Sequence, residues 1–102
     1  MKLKSYKQLD EIVTTYFVYK EKFKVLSFSS GQLDFSNPYY IYYRDVELAL
    51  SRLDENQRLI IKNDYFELYD RTWWKLIFTK TEYVKEKRKA IRNFVRYFYE
   101  IH

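Results

Sequence analysis

One glycine and one proline stand among 102 residues, and that scarcity decides the fold class before any motif is read. Tight turns need residues that accept positive φ or bring a fixed φ of their own. A chain with one of each cannot supply the many turns of an all-β protein. Helices joined by few connections remain, and the apolar spacing agrees with them.

Five helix-start signals follow one another. Ser5 with Gln8 forms a capping box, and Leu9, Ile12, Val13, Tyr16, Phe17 and Phe23 recur behind it at helical spacing. A first helix is predicted from about Tyr6 to about Val25. Ser27 to Asn37 holds the only glycine and several small polar residues, so the first helix should end before it. Ser36 or Asn37 can cap a second helix, with Pro38 in its first turn, where a missing N–H costs nothing. Tyr39, Tyr42, Tyr43, Val46, Ala49, Leu50 and Leu53 form its stripe. The cluster Tyr39 to Tyr43 reads as packing on that stripe, or as a stacking platform for bases. Tyr40 and Ile41 fall off the stripe and are candidates for a protein contact. Asp54 and Gln57 start a third helix. Asp70 can cap a short fourth one from Thr72 to about Ile77, whose Trp73, Trp74, Ile77 and Phe78 predict burial. Thr79 with Glu82 makes the last capping box, ahead of a long final helix from about Lys80 to about Tyr99.

The expectation is an all-α, five-helix single domain covering residues 1–102. Residues 1–53 would form an N-terminal helical part and residues 54–102 a helix-turn-helix-like part. Its length is enough for one modest core.

The charge is local. The chain carries a net +5, and residues 80–96 alone hold seven basic residues against Glu82 and Glu86. The rest of the chain therefore sums to zero, as expected of a binding face rather than of a generally basic protein. At 100° per residue, Val84, Ile91, Phe94, Val95, Phe98 and Ile101 share one arc, with Ala90 at its edge. Lys85, Lys89, Arg92 and Arg96 share another, with Arg88 at its border. A basic stripe backed by an apolar one is a solvated face on many helices. Here it holds all the net charge, which favours nucleic acid. Lys87 falls inside the apolar arc, where it either snorkels out or meets a groove.

Other function classes find little support. The only histidine is His102, and there is no cysteine, so His-based nucleophile activation and the usual zinc sets are missing. A glycine-rich phosphate loop is ruled out by the single glycine. Neither an enzyme nor a cofactor or metal site is expected. No apolar run approaches the ~20 residues that span a bilayer, and the first residues lack the apolar segment of a secretory leader. No membrane partner is expected, and the expected location is the cytoplasm. Abundant Tyr, Lys and Ile with little Gly, Pro or Ala suggests an AT-rich coding genome.

These residues also carry a family resemblance. The order Leu53-x-x-x-x-Arg58-x-Ile60-Ile61, Tyr65-Phe66, Trp73-Trp74 and Thr79-Lys80-Thr81-x-Tyr83-x-Lys85-x-Lys87-x-x-Ala90-Ile91-x-x-Phe94 resembles the C-terminal half of ArpU-type phage late-gene regulators. Those proteins are similar to region 4 of bacterial sigma factors. Small proteins of low-GC Firmicutes and mollicutes share the pattern, often with a Ser-Lys-Ser-Thr-Tyr-Tyr-Arg-like run where this chain has Thr79 to Lys85. The likeness covers Leu50 to Phe98. It implies a sigma-region-4-like helix-turn-helix, the helix from Lys80 as recognition helix, and transcription control as the role. This chain departs from the pattern in having no glycine before that helix, Glu82 where a neutral residue is usual, and Val84 in place of the second aromatic.

Two functions follow as expectations. The first is a transcription regulator that binds double-stranded DNA. Lys80, Thr81, Glu82, Lys85 and Lys89 would lie near bases or adjoining phosphates, Arg88, Arg92 and Arg96 would hold the backbone, and Lys87 would border the same groove. The second is a protein-interaction module that touches RNA polymerase or a sigma factor without reading DNA, for which an exposed set of Tyr40, Ile41, Tyr97 and Tyr99 would speak. The sequence leaves the oligomeric state open, a homo-oligomer included.

Overall fold

Four α-helices carry the described part of the chain: α1 (Lys2–Ser30), α2 (Pro38–Ser51), α3 (Glu55–Ile61) and α4 (Lys80–Ile101). A π-helical turn, Lys62–Phe66, continues α3, and a single 3-10 turn, Trp73–Leu76, precedes α4. The computed structural model describes residues 2–30 and 35–102, with side chains over 4–26 and 35–102. No strand occurs among the described residues. None of the helices found there is long and apolar enough to cross a membrane.

Every helix contributes to one apolar cluster. Leu9, Ile12 and Tyr16 come from α1, Val46, Ala49 and Leu50 from α2 with Leu53 just beyond it, and Ile61 from α3. α4 supplies Ala90, Ile91, Phe94, Val95 and Phe98, and Phe94 is fully buried. α4 therefore runs through the middle of the packing, against each of the other three. The tyrosines of α2 face α1. Tyr43 stacks on Tyr16 at 5.4 Å, Tyr39 and Tyr42 meet the edge of Tyr19, and Tyr40 lies against Phe23. Such pairs add roughly 0.5–1.5 kcal/mol each beyond their buried area. All four rings have partners within the chain, which is the packing reading of that cluster.

Three helix starts follow the expected chemistry. Asn37 Oδ1 accepts from the Tyr39 amide at 2.8 Å, ahead of Pro38 at the first helical position. Asp54 Oδ1 accepts from the Gln57 amide at 2.9 Å. Thr79 and Glu82 form the full capping box of α4. The first helix differs from expectation at both ends. It starts at Lys2, so Ser5 lies inside it, and it runs on through Ser30, into a stretch expected to be loop. Serine is a poor helix former but not a breaker. The remainder of the expected loop, with its glycine at position 31, lies outside the described residues up to Asp34. At about 1.5 Å per residue, a helix of 29 residues is about 43 Å long, which accounts for most of the 49 Å length of the molecule.

The expected fourth helix is corrected to the one 3-10 turn. Asp70 Oδ1 accepts from both the amide and the hydroxyl of Thr72, and Thr79 already caps α4. Between these two anchors only Trp73–Leu76 take helical form, as one 3-10 turn. The stretch is not buried as expected. Leu76 is 96% exposed and Ile77 55%, both indoles are half-buried, and Phe78 alone turns fully inward.

Two polar groups hold the bundle at points that periodicity does not reveal. Arg58 donates from Nε to the carbonyl of Leu50 and from its terminal nitrogen to those of Ser51 and Leu53. It thereby serves the orphan carbonyls of Ser51 and Leu53 at the end of α2 and adds a second donor to that of Leu50, which also accepts the Leu53 amide at 3.2 Å. Arg58→Met keeps the stem and loses the donors, and should cost about 2 kcal/mol, in the range for hydrogen bonds from a charged group. Urea unfolding checks this; an unchanged midpoint would make the three bonds idle. On the other side, buried Asp45 receives Arg44 at 3.1 Å and faces His102 Nδ1 at 2.9 Å. The His102 ring stacks on Phe98 at 5.0 Å.

Candidate nucleic-acid interface

The face in question is built by α4, and its first turn sets its direction. The Glu82 amide donates to Thr79 Oγ1 at 3.1 Å, and the Thr79 amide donates to Glu82 Oε1 at 2.9 Å. Glu82, expected among the DNA contacts, is thus committed to the helix start. The backbone bond from Thr79 holds its carboxyl below the ordinary value of 4.5. A depressed folded-state pKa means stabilisation that is present above the unfolded value and lost as pH falls through the folded one. Thermal unfolding of wild type and Glu82→Gln across acid pH should show a gap at neutral pH that closes below that range. A gap independent of pH would assign it to something other than the carboxylate.

From Lys80 onward α4 presents two faces. The inward one carries Ala90, Ile91, Phe94, Val95 and Phe98, all buried. On the outward one, Lys85, Arg92 and Arg96 are exposed and Lys89 is half-buried. At 100° per residue these four lie within an arc of about 60°. Lys80, Thr81, Val84, Lys85, Arg88, Lys89 and Arg92 line one shallow groove along the helix. Seven of the expected residues are therefore brought together on one side: Lys80, Thr81, Lys85, Arg88, Lys89, Arg92 and Arg96. None of their six cations has a carboxylate partner among the described residues. The Arg96 guanidinium rests over the Tyr97 ring at 5.0 Å. Six unpaired cations on a helix held by the core give a positive surface whose backbone need not reorganise to meet an anion.

Lys87 is not among them. It lies on the inward arc, where its ammonium sits 3.1 Å from Asp64 Oδ2 and over the rings of Tyr65 and Tyr83. The same carboxylate accepts the Trp73 indole N–H at 2.8 Å on Oδ1 and the Tyr83 hydroxyl on Oδ2. Burial first, then the bond to Asp64, push the Tyr83 hydroxyl above its ordinary pKa of 10.0, so it stays a donor. Asp64, Trp73, Tyr83 and Lys87 thus form one network that ties the π-helical turn and the 3-10 turn to the start of α4. A second tie runs from Asn93 Nδ2 to Gln57 Oε1 at 3.1 Å. The network was missed at the sequence level, although two opposite charges on apolar faces were a signal for it.

The exposed set expected for a protein contact does not form as a set. Tyr99 is 51% exposed, whereas Tyr40, Ile41 and Tyr97 are half-buried.

Comparison with protein-family models, curated proteins and solved structures finds no match to the chain.

Proposed function

We propose that the protein is a transcription regulator that binds duplex DNA through the outward face of α4. The observation that carries this reading is the run of six unpaired cations, Lys80, Lys85, Arg88, Lys89, Arg92 and Arg96, on one side of a helix anchored in the core. Anchoring matters because a preformed face loses less conformational freedom on binding. α3, the connection through the 3-10 turn and α4 stand in for the sigma-region-4-like helix-turn-helix that the sequence resembles. In this reading Lys80, Thr81, Lys85 and Lys89 approach base edges or the adjoining phosphates, while Arg88, Arg92 and Arg96 hold the backbone phosphates. Glu82 and Lys87 are left to the helix cap and the Asp64 network.

The test is a fluorescence-anisotropy titration of a random-sequence duplex with wild type and with a variant carrying Ala at Lys85, Lys89, Arg92 and Arg96. Loss of binding in a variant that melts like wild type supports the reading. Equal binding by the two, or none by wild type at low salt, ends it. A second reading, a module that contacts RNA polymerase or a sigma factor, draws on the outward Leu76 and Ile77. Retention of a protein partner by wild type after nuclease treatment, lost on Leu76→Ser, would favour it.

A further inference from the structure

A second concavity lies on the other side of α4, away from the basic face. Tyr65, Leu68, Tyr69, Arg71, Trp74 and Tyr83 line it, together with the Asp64–Lys87 pair, and it measures about 600 Å³. That is within the usual ~300–1,000 Å³ of small-molecule sites. The lining comes from four separate segments: the π-helical turn, the connection after it, the 3-10 turn and α4. From this arrangement we infer that the cleft binds a planar aromatic ring bearing an anionic group.

The ring requirement comes from the walls. Four of the lining side chains are aromatic, and Trp74 stacks flat on Tyr83 at 4.6 Å and 10°, a parallel pair of the geometry that a further planar ring adopts on aromatic walls. Tyr69 stands 55% exposed at the cleft with no ring partner among the described residues. A planar ligand would cover it without displacing an existing contact. Offset stacking on such rings recognises shape and polarisability more than a particular base or substituent.

The anion requirement comes from the charges. A cage of aromatic rings often suits a cation, but here Lys87 already lies over Tyr65 and Tyr83 at 5.4 Å and 5.5 Å. A second cation would be repelled. The one carboxylate in the lining, Asp64, has both oxygens engaged by Trp73, Tyr83 and Lys87. Arg71 is exposed and has no partner among the described residues. Its planar fork suits a carboxylate or phosphate in two-point contact.

The backbone around the cleft is unusual in the same direction. Leu68 has φ 52°, a left-handed conformation that a leucine adopts at a cost. It lies two residues past the end of the π-helical turn, and its neighbours are held by bonds from the Glu67 amide to the Lys62 carbonyl at 2.7 Å and from the Tyr69 amide to the Asn63 carbonyl at 2.9 Å. π-helical turns and strained non-glycine residues concentrate at ligand sites. The reversal at Leu68 brings Tyr69 and Arg71 to the same cleft as Tyr65.

The experiment is calorimetric titration of the full chain with phenyl phosphate, AMP, adenosine, inorganic phosphate and choline. Saturable binding of phenyl phosphate or AMP is expected, with adenosine, inorganic phosphate and choline each about tenfold weaker or more. AMP binding more tightly would assign a nucleotide; phenyl phosphate binding as well or better would assign a small aromatic anion. Arg71→Gln should weaken the anionic probes about tenfold, as loss of a charge-assisted contact implies. Its melting temperature should stay that of wild type, since the residue has no partner to lose. Tyr69→Ala should weaken adenosine and AMP alike. The proposal is overturned if neither ring-bearing anion binds at millimolar concentration. It is also overturned if inorganic phosphate or choline matches them, or if Arg71→Gln binds like wild type.

Discussion

Asp64→Ala is expected to destabilise the protein by about 3 kcal/mol. Removing one member of a buried ion pair costs roughly 3–5 kcal/mol, because the partner is left charged and unpaired. The Lys87 and Asp64 side chains keep 26% and 13% of their surface, so the lower end applies. The substitution also strands the Trp73 indole N–H and the Tyr83 hydroxyl, which donate to the same carboxylate. In a chain of 102 residues this should lower the melting temperature by roughly 12–24 °C, a large part of the ~5–15 kcal/mol that holds a typical domain. Lys87→Met should cost less, about 1 kcal/mol. It keeps the apolar stem, and Asp64 retains two neutral donors. The double variant should be less destabilised than the two single costs added together, because Asp64→Ala no longer leaves an ammonium behind. Chemical denaturation of the four proteins measures this. An Asp64→Ala loss under about 1 kcal/mol would mean that water replaces the network at little cost. Lys87 would then be free to act as a cation for ligands.

Helix capping and apolar periodicity carried most of the architecture, because both are local. Asn37 before Pro38, Asp54 three residues before Gln57, and Thr79 three before Glu82 each declare a helix start within one turn of chain. From Ala90 onward the two faces of α4 were likewise legible, since Phe94 and Arg92 differ in position on a single helix. Val84, expected on the inward arc, is instead 39% exposed and lines the basic groove, because the start of α4 extends past the core. Three further things were not legible. Whether Trp73–Leu76 makes an α-helix or one 3-10 turn depends on the anchors at Asp70 and Thr79 and on how much chain lies between them. An apolar composition suggested burial there, yet Leu76 is 96% exposed, because hydrophobicity says that a residue gains from a partner and not that one is present. The role of Lys87 needed Asp64, which is 23 positions away, and the role of Arg58 needed the end of α2. For Lys87 half of the signal was visible: a cation on an apolar arc must be paired or must reach water. A search for an anion in the same condition would have stopped at Asp64, which follows Ile60 by one helical turn.

Affinity for duplex DNA should fall about 10³-fold between 50 and 200 mM salt if all six outward cations of α4 meet phosphates. Each neutralised phosphate contributes about −0.9 to the slope of log K against log[salt]. Six give a slope near −5.4, and a fourfold change in salt then yields that loss. Arg92→Ala and Arg96→Ala should each make the slope shallower by about one unit and weaken all duplexes alike. Neither should shift stability by more than ~1 kcal/mol, because neither side chain has an ion-pair partner to lose. Lys85→Ala and Lys89→Ala should reduce the slope too. They lie nearer the start of α4, so they should also change preference among sequences, by ~1–3 kcal/mol where a base contact is lost. Lys87→Met supplies the internal control: its ammonium faces Asp64, so it should lower the melting temperature and leave the slope as it was. The measurement is anisotropy with one candidate site and one scrambled duplex across a salt series. Affinity that ignores salt, or a slope that responds to Lys87 and not to Arg92, would take DNA away from this face. The six cations would then be a solvated surface, and the exposed Leu76 and Ile77 would become the first place to look for a protein partner.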